Sequence, residues 1–439
     1  MRASAGVGAG GLILGGVAGV FAERANETNA SANGIVASSN LRPLRVVGVN
    51  PLSGPQADDG RRAEQGMKLA ISEINARGGV LNHKLEYVAV DQGDYTIPQN
   101  VTNAFNRAVG QERPDVIIGI SSAAMGPDLD ISARAGVIYI DGNTREDWRT
   151  IYMKDPKKYW CVFQADPAES AYGSGGAKFF NDLVDSGRYK AKDKTVAMIV
   201  GNDAYDTHIA DVFKKSITGF GWKVTFSGSV TPQSVPDWGP VLAQIRQNPP
   251  ALVFTTDFNA ADDAAMIKNW ASSPLPALFY QQYGPSVPQY LQLAGEAGNG
   301  VIWSTVLGLI PDQIGNRFTE RFKKTFNTAP SLAYSGAVYD WIYWWAQAVS
   351  AAGNVADTRA IARNLEQLRW RGVDGTVAMG RWEGSKFVQD HTVPSYPSET
   401  TDPSLGQPDL VFQIQNGQQK LLSPDPYTTA SFQLPSWFK

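Results

Sequence analysis

The sequence predicts an α/β protein made of two doubly wound parallel-sheet lobes. Three observations carry that expectation. From Leu44 onward, short apolar β-branched runs alternate with amphipathic stretches of helical length. Most of these runs are continuously apolar rather than alternating, as strands are when helices cover both faces of a sheet. The pattern also runs twice. Pro114-Asp115-Val116-Ile117-Ile118-Gly119-Ile120-Ser121-Ser122 and Pro250-Ala251-Leu252-Val253-Phe254-Thr255-Thr256-Asp257 are each a proline, an apolar strand and a small polar loop leading to a helix. A chain of 439 residues suits two domains of roughly 100 to 200 residues each.

The N-terminus differs from the rest. Arg2 precedes an uncharged stretch from Ala3 to Ala22, and a polar Asn/Ser/Ala segment follows, so residues 1–34 have the shape of a signal peptide. Cleavage after Val20-Phe21-Ala22 or Ala30-Ser31-Ala32 is expected, with no cysteine there for lipid attachment. The alternative is an uncleaved anchor, which the many glycines make a weak span. Gly6, Gly8 and Gly11 match a dinucleotide-binding glycine pattern only formally, because no strand precedes them.

The expected strands are Arg45 to Val49, Leu85 to Val90, Asp115 to Ile120, Val137 to Asp141, Thr195 to Val200, Lys223 to Val230, Ala251 to Thr256, Ala277 to Gln281 and Gly300 to Val306. Between the first two, Met67, Ala70, Ile71 and Ile74 recur at helical spacing, and Gly78-Gly79 stops that helix. Thr376 to Trp382, Glu383-Gly384 and Lys386 to Val388 read as a hairpin. Leu410 to Ile414 before Asn416-Gly417 reads as one strand of a further pair, followed by an apolar tail. The run Tyr339 to Trp345 has aromatics covering both faces of a helix, which indicates a buried packing helix rather than a ligand cage.

Composition removes several functions. A formal net charge of -3 without long like-charge runs leaves no footprint for nucleic acid or an anionic membrane. One cysteine, Cys161, excludes an intrachain disulfide and a Cys-rich zinc site, and its apolar neighbours mark it as packing. His83, His208 and His391 are too scattered for a local metal motif. No metal or cofactor is expected. Nor is there a nucleophile-elbow pattern, a phosphate loop or a metal-binding helix motif.

The order of motifs between about residues 44 and 390 resembles the branched-chain amino acid-binding family of ABC-transporter solute receptors, with the type I periplasmic binding fold. The residues that carry the resemblance are Val49-Asn50-Pro51-Leu52-Ser53-Gly54-Pro55, Gly60, Glu73 to Gly79, the Ser121-Ser122 and Gly142-Asn143-Thr144 loops, Asn202 to Tyr205, and Pro236-Asp237-Trp238. The resemblance implies two lobes joined by three hinge segments, expected near Phe163, Gly300 and Gly372. An N-lobe would then hold residues 44–163 and 300–372, and a C-lobe residues 164–299 and 373–439. It also implies a monomer that works with ABC permease subunits in the membrane.

Ligands of open α/β sheets sit beyond the carboxyl ends of the strands, so a cleft between the lobes is the expected site. Ser121 and Ser122 stand between a strand and a helix opening, where hydroxyls and free helix amides can meet a carboxylate or carbonyl. Helix capping is the competing role. Gly142, Asn143 and Thr144 form a second small-residue loop, with Thr144 donating its hydroxyl and Gly142 leaving the backbone accessible. From the other lobe, Tyr205 matches an aromatic that the family folds over its ligand. Asp257 or Phe258 would supply an acceptor or an apolar wall. Two departures from the family bear on specificity: Asp58-Asp59 replaces an aromatic, and Gln282-Tyr283-Gly284 stands where an acid usually pairs with the ligand's ammonium. An amino group would then be held by Asp59 or Asp257, or the ligand is an amide or urea-like solute met by Gln282 and Tyr283. The bland alternative is that Asp58 and Asp59 are a solvated acidic pair on a loop. The function expected is an exported, periplasmic or extracellular, non-enzymatic receptor that delivers a small polar solute to a permease. A sensor of the same fold regulating a partner is the alternative.

Overall fold

A computed structural model of the chain describes residues 41–121, 126–233, 235, 237–383, 385–393 and 402–438. The N-terminal segment, Ser122, Pro236 and Gly384 lie outside the described residues. Two separate sheets carry the architecture. The first runs β2-β1-β3-β4-β5, with β1 Leu44–Asn50, β2 Leu85–Asp91, β3 Val116–Gly119, β4 Ile138–Asp141 and β5 Val162–Gln164, all parallel. The second begins with β6 Thr195–Gly201, β7 Lys223–Val230, β8 Leu252–Thr255, β9 Leu278–Gln281 and β10 Ile302–Thr305, in the order β7-β6-β8-β9-β10. The two orders are the same relative to the chain, so the repeat visible in the sequence is a repeat of topology.

Polarity explains which strands sit where. Val116–Gly119 and Leu252–Thr255 are buried throughout because each has a strand on both sides and helices on both faces. Lys223–Val230 closes one edge of the second sheet and is half-exposed along its length. The helix Ala57–Ala76 buries Ala63, Met67, Ala70, Ile71 and Ile74 on one face. It stops where Gly79 takes φ +85°, a conformation that costs glycine little, and where a Cβ would lie 2.0 Å from the His83 carbonyl oxygen. The helix Tyr334–Ala352 lies against it and buries every residue from Tyr339 to Ala346, Trp341, Trp344 and Trp345 included, as the packing reading requires. Cys161 is fully buried, and burial pushes its thiol up to about 12.

All nine expected strands are present, and β5 is an addition, three residues long and below the length at which periodicity informs. Sheet membership departs from the expected lobes in two places. The expected bounds place β10 with residues 300–372 in the first lobe, but it pairs in parallel with β9 and antiparallel with Leu410–Gln415, so it belongs to the second sheet. The chain leaves that sheet after β10, not near Gly300. The second departure concerns residues 373–393, expected in the second lobe. After the short pair β11 Trp370–Arg371 and β12 Thr376–Val377, the hairpin of β13 Arg381–Glu383 and β14 Lys386–Val388 is tied to the first lobe. Arg149 holds Glu383 at 2.6 Å and Asp390 at 2.7 Å, Thr392 bridges Gln164 of β5, and His391 bonds the Val162 carbonyl and Glu366 while stacking on Phe163. β15 Leu410–Gln415 and β16 Gln418–Ser423 then complete the second sheet beyond β10. The tail returns over that lobe, where Trp437 Nε1 donates to the Ala277 carbonyl at 2.9 Å.

Candidate functional site

Loops at the carboxyl ends of both sheets converge on one cavity of about 230 Å³. Its first-lobe wall is set by β4. Asp141, the last residue of that strand, accepts the indole N–H of Trp148 at 2.8 Å and the backbone N–H of Asn143 at 3.0 Å. Gln164 Nε2 donates to the Asn143 carbonyl at 2.6 Å, and the Glu169 N–H donates to the Thr144 carbonyl at 2.7 Å. With its backbone held this way, the loop presents Asn143 and Thr144 to the cavity. Ser121, at the end of β3, lines it as well, and its carbonyl accepts from Gln92 Nε2 at 2.9 Å.

The second lobe supplies the facing wall. Tyr205 follows β6, Phe258 follows β8 and Tyr283 follows β9. Tyr205 and Phe258 meet edge to face with centroids 5.8 Å apart. Gln282 Nε2 donates to the Tyr205 hydroxyl at 3.2 Å, and Thr144 lines the same cavity from across the cleft. Gln282 therefore stands behind Tyr205, and only Tyr283 of the expected amide-recognising pair is in the cavity wall.

Asp59 reaches the cavity from the first turn of the helix Ala57–Ala76, so Asp58 and Asp59 are helical rather than a loop pair. They part in function. Asp58 pairs with Arg62 at 3.6 Å and Arg61 at 3.8 Å. Asp59 Oδ2 accepts the Tyr283 hydroxyl at 2.6 Å. Burial pushes the Asp59 carboxyl up to about 7, with Tyr283 pulling it down and Asp58 pushing it further up. A smaller annex of about 30 Å³ shares Asp59, Tyr95, Phe258 and Tyr283 with the main cavity.

Seven of the expected site residues are thus brought together: Asp59, Ser121, Asn143, Thr144, Tyr205, Phe258 and Tyr283. Two are not. Gly142 donates its N–H to the Gly119 carbonyl at 2.8 Å and accepts the Tyr334 hydroxyl at 2.9 Å, which occupies the backbone expected to be accessible. It is glycine because a Cβ would lie 2.4 Å from the ring of Trp341. Asp257 is fully buried beneath the cavity wall, accepting the Asn259 N–H at 2.9 Å, and burial with Asp262 beside it pushes its carboxyl up to about 7. Position after a strand predicted it to be at the surface of the cleft, but the Asx turn folds its side chain inward and leaves Phe258 at the wall.

Sequence reasoning missed Tyr95, Arg145, Tyr172, Asp203 and Tyr334, which also line the cavity. Tyr95 was within reach, since it follows β2 as Ser121 follows β3. Tyr334 begins the aromatic helix whose later rings are core. Arg145 is held by Asp147 at 2.7 Å, and Asp203 caps the helix Ala204–Gly219 by accepting the Asp206 N–H at 2.9 Å. Among the described residues no group of three or more His, Cys, Asp or Glu is placed to hold a metal, and no helix is long and apolar enough to cross a membrane.

Residues 43–393 match the family model described as periplasmic binding protein. The Leu/Ile/Val-binding protein homolog 2 of Brucella abortus is 26% identical over 312 residues, covering 70% of this chain and 79% of that one. The leucine-, isoleucine-, valine-, threonine- and alanine-binding protein of Pseudomonas aeruginosa is 24% identical, covering 73% of this chain and 82% of its own length. A crystal structure described as a branched-chain amino acid ABC transporter from Silicibacter pomeroyi superposes with a TM-score of 0.79 at 31% identity, covering 90% of this chain and 100% of that one.

Proposed function

The chain belongs to the periplasmic binding protein family, and from that membership we propose that it is an exported receptor that captures a small polar solute between its lobes and passes it unchanged to an ABC-type permease. The single observation that carries this reading is the cavity itself. It is walled by Asp59, Ser121 and Thr144 of the first lobe and by Tyr205, Phe258 and Tyr283 of the second, so a solute held there is touched by both lobes. Each lobe alone would offer half of the contacts, and binding therefore stabilises the closed form. About 230 Å³ lies below the several hundred Å³ of sites for drug-sized ligands and suits a solute the size of an amino acid or short amide.

The relatives named for leucine, isoleucine and valine make amino acids the first class to try. Hydroxyls of Ser121 and Thr144 would meet a carboxylate or carbonyl end, and the phenols and Phe258 would enclose the body of the solute. A thermal-shift screen of amino acids, short amides, urea and small carboxylates tests this on the mature chain, because a bound solute stabilises by mass action. Saturable stabilisation with the solute recovered intact is the expected result. Stoichiometric conversion of the solute would replace the receptor reading with an enzymatic one.

A further inference from the structure

Asp59 differs from the other charged groups at the cavity. Arg145 is engaged by Asp147, and Asp203 is engaged as a helix cap. Asp59 makes one bond, to Tyr283, and that bond joins the two lobes between residues 224 apart in sequence. Its other oxygen, Oδ1, is buried with no partner. The two arginines one turn along its helix are taken up by Asp58. Among the described residues no cation pairs with Asp59. A carboxylate removed from water without a counter-charge is strongly unfavourable, so the described residues leave a place for a positive group. The surrounding wall is aromatic: Tyr283 and Tyr334, with centroids 6.1 Å apart, and Tyr95 and Phe258 line the same space, and aromatic rings can attract cations over their faces.

We infer that Asp59 has two roles at once: Oδ1 receives a cationic nitrogen of the solute, and Oδ2, through Tyr283, latches the lobes over it. The inference rests on the solute-capture reading above and narrows it from polar solutes in general to ammonium-bearing ones. The two roles reinforce each other. A cationic nitrogen keeps Asp59 charged, and a charged carboxylate is the stronger acceptor for the Tyr283 hydroxyl. The solute's charge is thus read by the group that holds the lobes together, and a neutral amide of the same shape would lack that coupling.

The test uses matched probes and two variants. The probes are leucine, isoamylamine and 4-methylpentanoate, with phenylalanine, phenethylamine and 3-phenylpropanoate as a second frame, and acetamide and urea as neutral solutes. Calorimetry on the wild-type protein is expected to favour the ammonium-bearing member of a frame over the carboxylate-only member by at least about 10-fold. Asp59→Asn should abolish that preference yet keep the lobes together, because its side-chain oxygen still accepts from Tyr283. Tyr283→Phe should keep the preference within a few-fold and raise the radius of gyration of the free protein in small-angle X-ray scattering. A wild-type preference for the carboxylate-only or neutral probes, or an Asp59→Asn variant that keeps the ammonium preference, overturns the recognition role. Scattering of Tyr283→Phe that superposes on wild type overturns the latch. If no probe binds the wild type, the recognition role falls with the capture reading, and the scattering still decides the latch.

Discussion

Asp59 and Asp257 each follow a strand of the two lobes' repeating pattern, and they end in different places: one in the cavity wall, the other beneath it. Both are aspartates near the amino end of a helix that follows a strand, and burial pushes both carboxyls up to about 7. Asp59 lies in the wall of the cavity with its one bond crossing to the other lobe. Asp257 lies beneath the wall, bonded within its own loop and next to Asp262, and Asp206 and Asp263 are buried close by. A displaced ionisation therefore marks burial in both places, and only the geometry of the cavity separates a group that can meet a solute from one that titrates inside a lobe.

The largest expected effect turns on that separation. In the free protein Asp59 faces Asp58 on its own helix, Tyr95 after β2, Tyr283 after β9, Tyr334 on the aromatic helix and, across the cavity, Asp203. An ammonium solute needs Asp59 ionised, so its affinity should be level above about pH 7 and fall about 10-fold per pH unit below it, or about 100-fold by pH 5. Calorimetry in buffers of differing ionisation enthalpy should also show a proton released on binding near pH 6. An affinity flat from pH 5 to 8 would make Asp59 as silent toward the solute as Asp257.

Asp257 supplies the opposite prediction. Its folded-state carboxyl titrates above the unfolded value, so the folded state holds the extra proton. Stability from this group is then present below the unfolded carboxylate range and is lost as pH rises toward about 7. Asp257→Asn should raise the melting temperature by several degrees at pH 8, leave it unchanged at pH 4, and alter solute affinity less than about twofold. A loss of affinity in this variant at pH 8 would place Asp257 in the binding wall after all.

Thr144→Ala comes next in size. Thr144 lines the cavity and its hydroxyl is the group proposed to meet the solute's carboxylate or carbonyl, so its loss should weaken binding about 10-fold, with a melting temperature close to wild type. A fall in stability and none in affinity would make it a structural residue only.

How much of this was legible in the sequence follows from the same contrast. The strands were, because β3 and β8 are continuous apolar runs of adequate length, and the topology was, because the motif recurs. β5 was too short, and the lobe assignment of β10 depends on long-range pairing with β9 and β15 that no local pattern encodes. At the site, position after a strand found Ser121, Thr144, Tyr205 and Tyr283 at the cavity wall. It failed at Asp257, where an Asx turn reverses the side chain, and at Gly142, which lies outside the cavity wall and where a Cβ would meet the ring of Trp341.

Gly142 provides the smallest and most discriminating prediction. The Tyr334 ring lines the cavity while its hydroxyl donates to the Gly142 carbonyl at 2.9 Å. Tyr334→Phe keeps the ring and leaves that buried carbonyl without its donor, which should cost about 1 kcal/mol of stability. The loop carrying Asn143 and Thr144 would then be held less firmly on one side, while Asp141 and Gln164 still fix the other. Affinity should fall by less than about 5-fold, from poorer positioning rather than a lost contact. If the Gly142 carbonyl were instead an acceptor for the solute, removing its competitor would free it, and affinity would rise. Melting temperature and affinity measured on one preparation of Tyr334→Phe therefore decide whether this glycine serves packing or recognition.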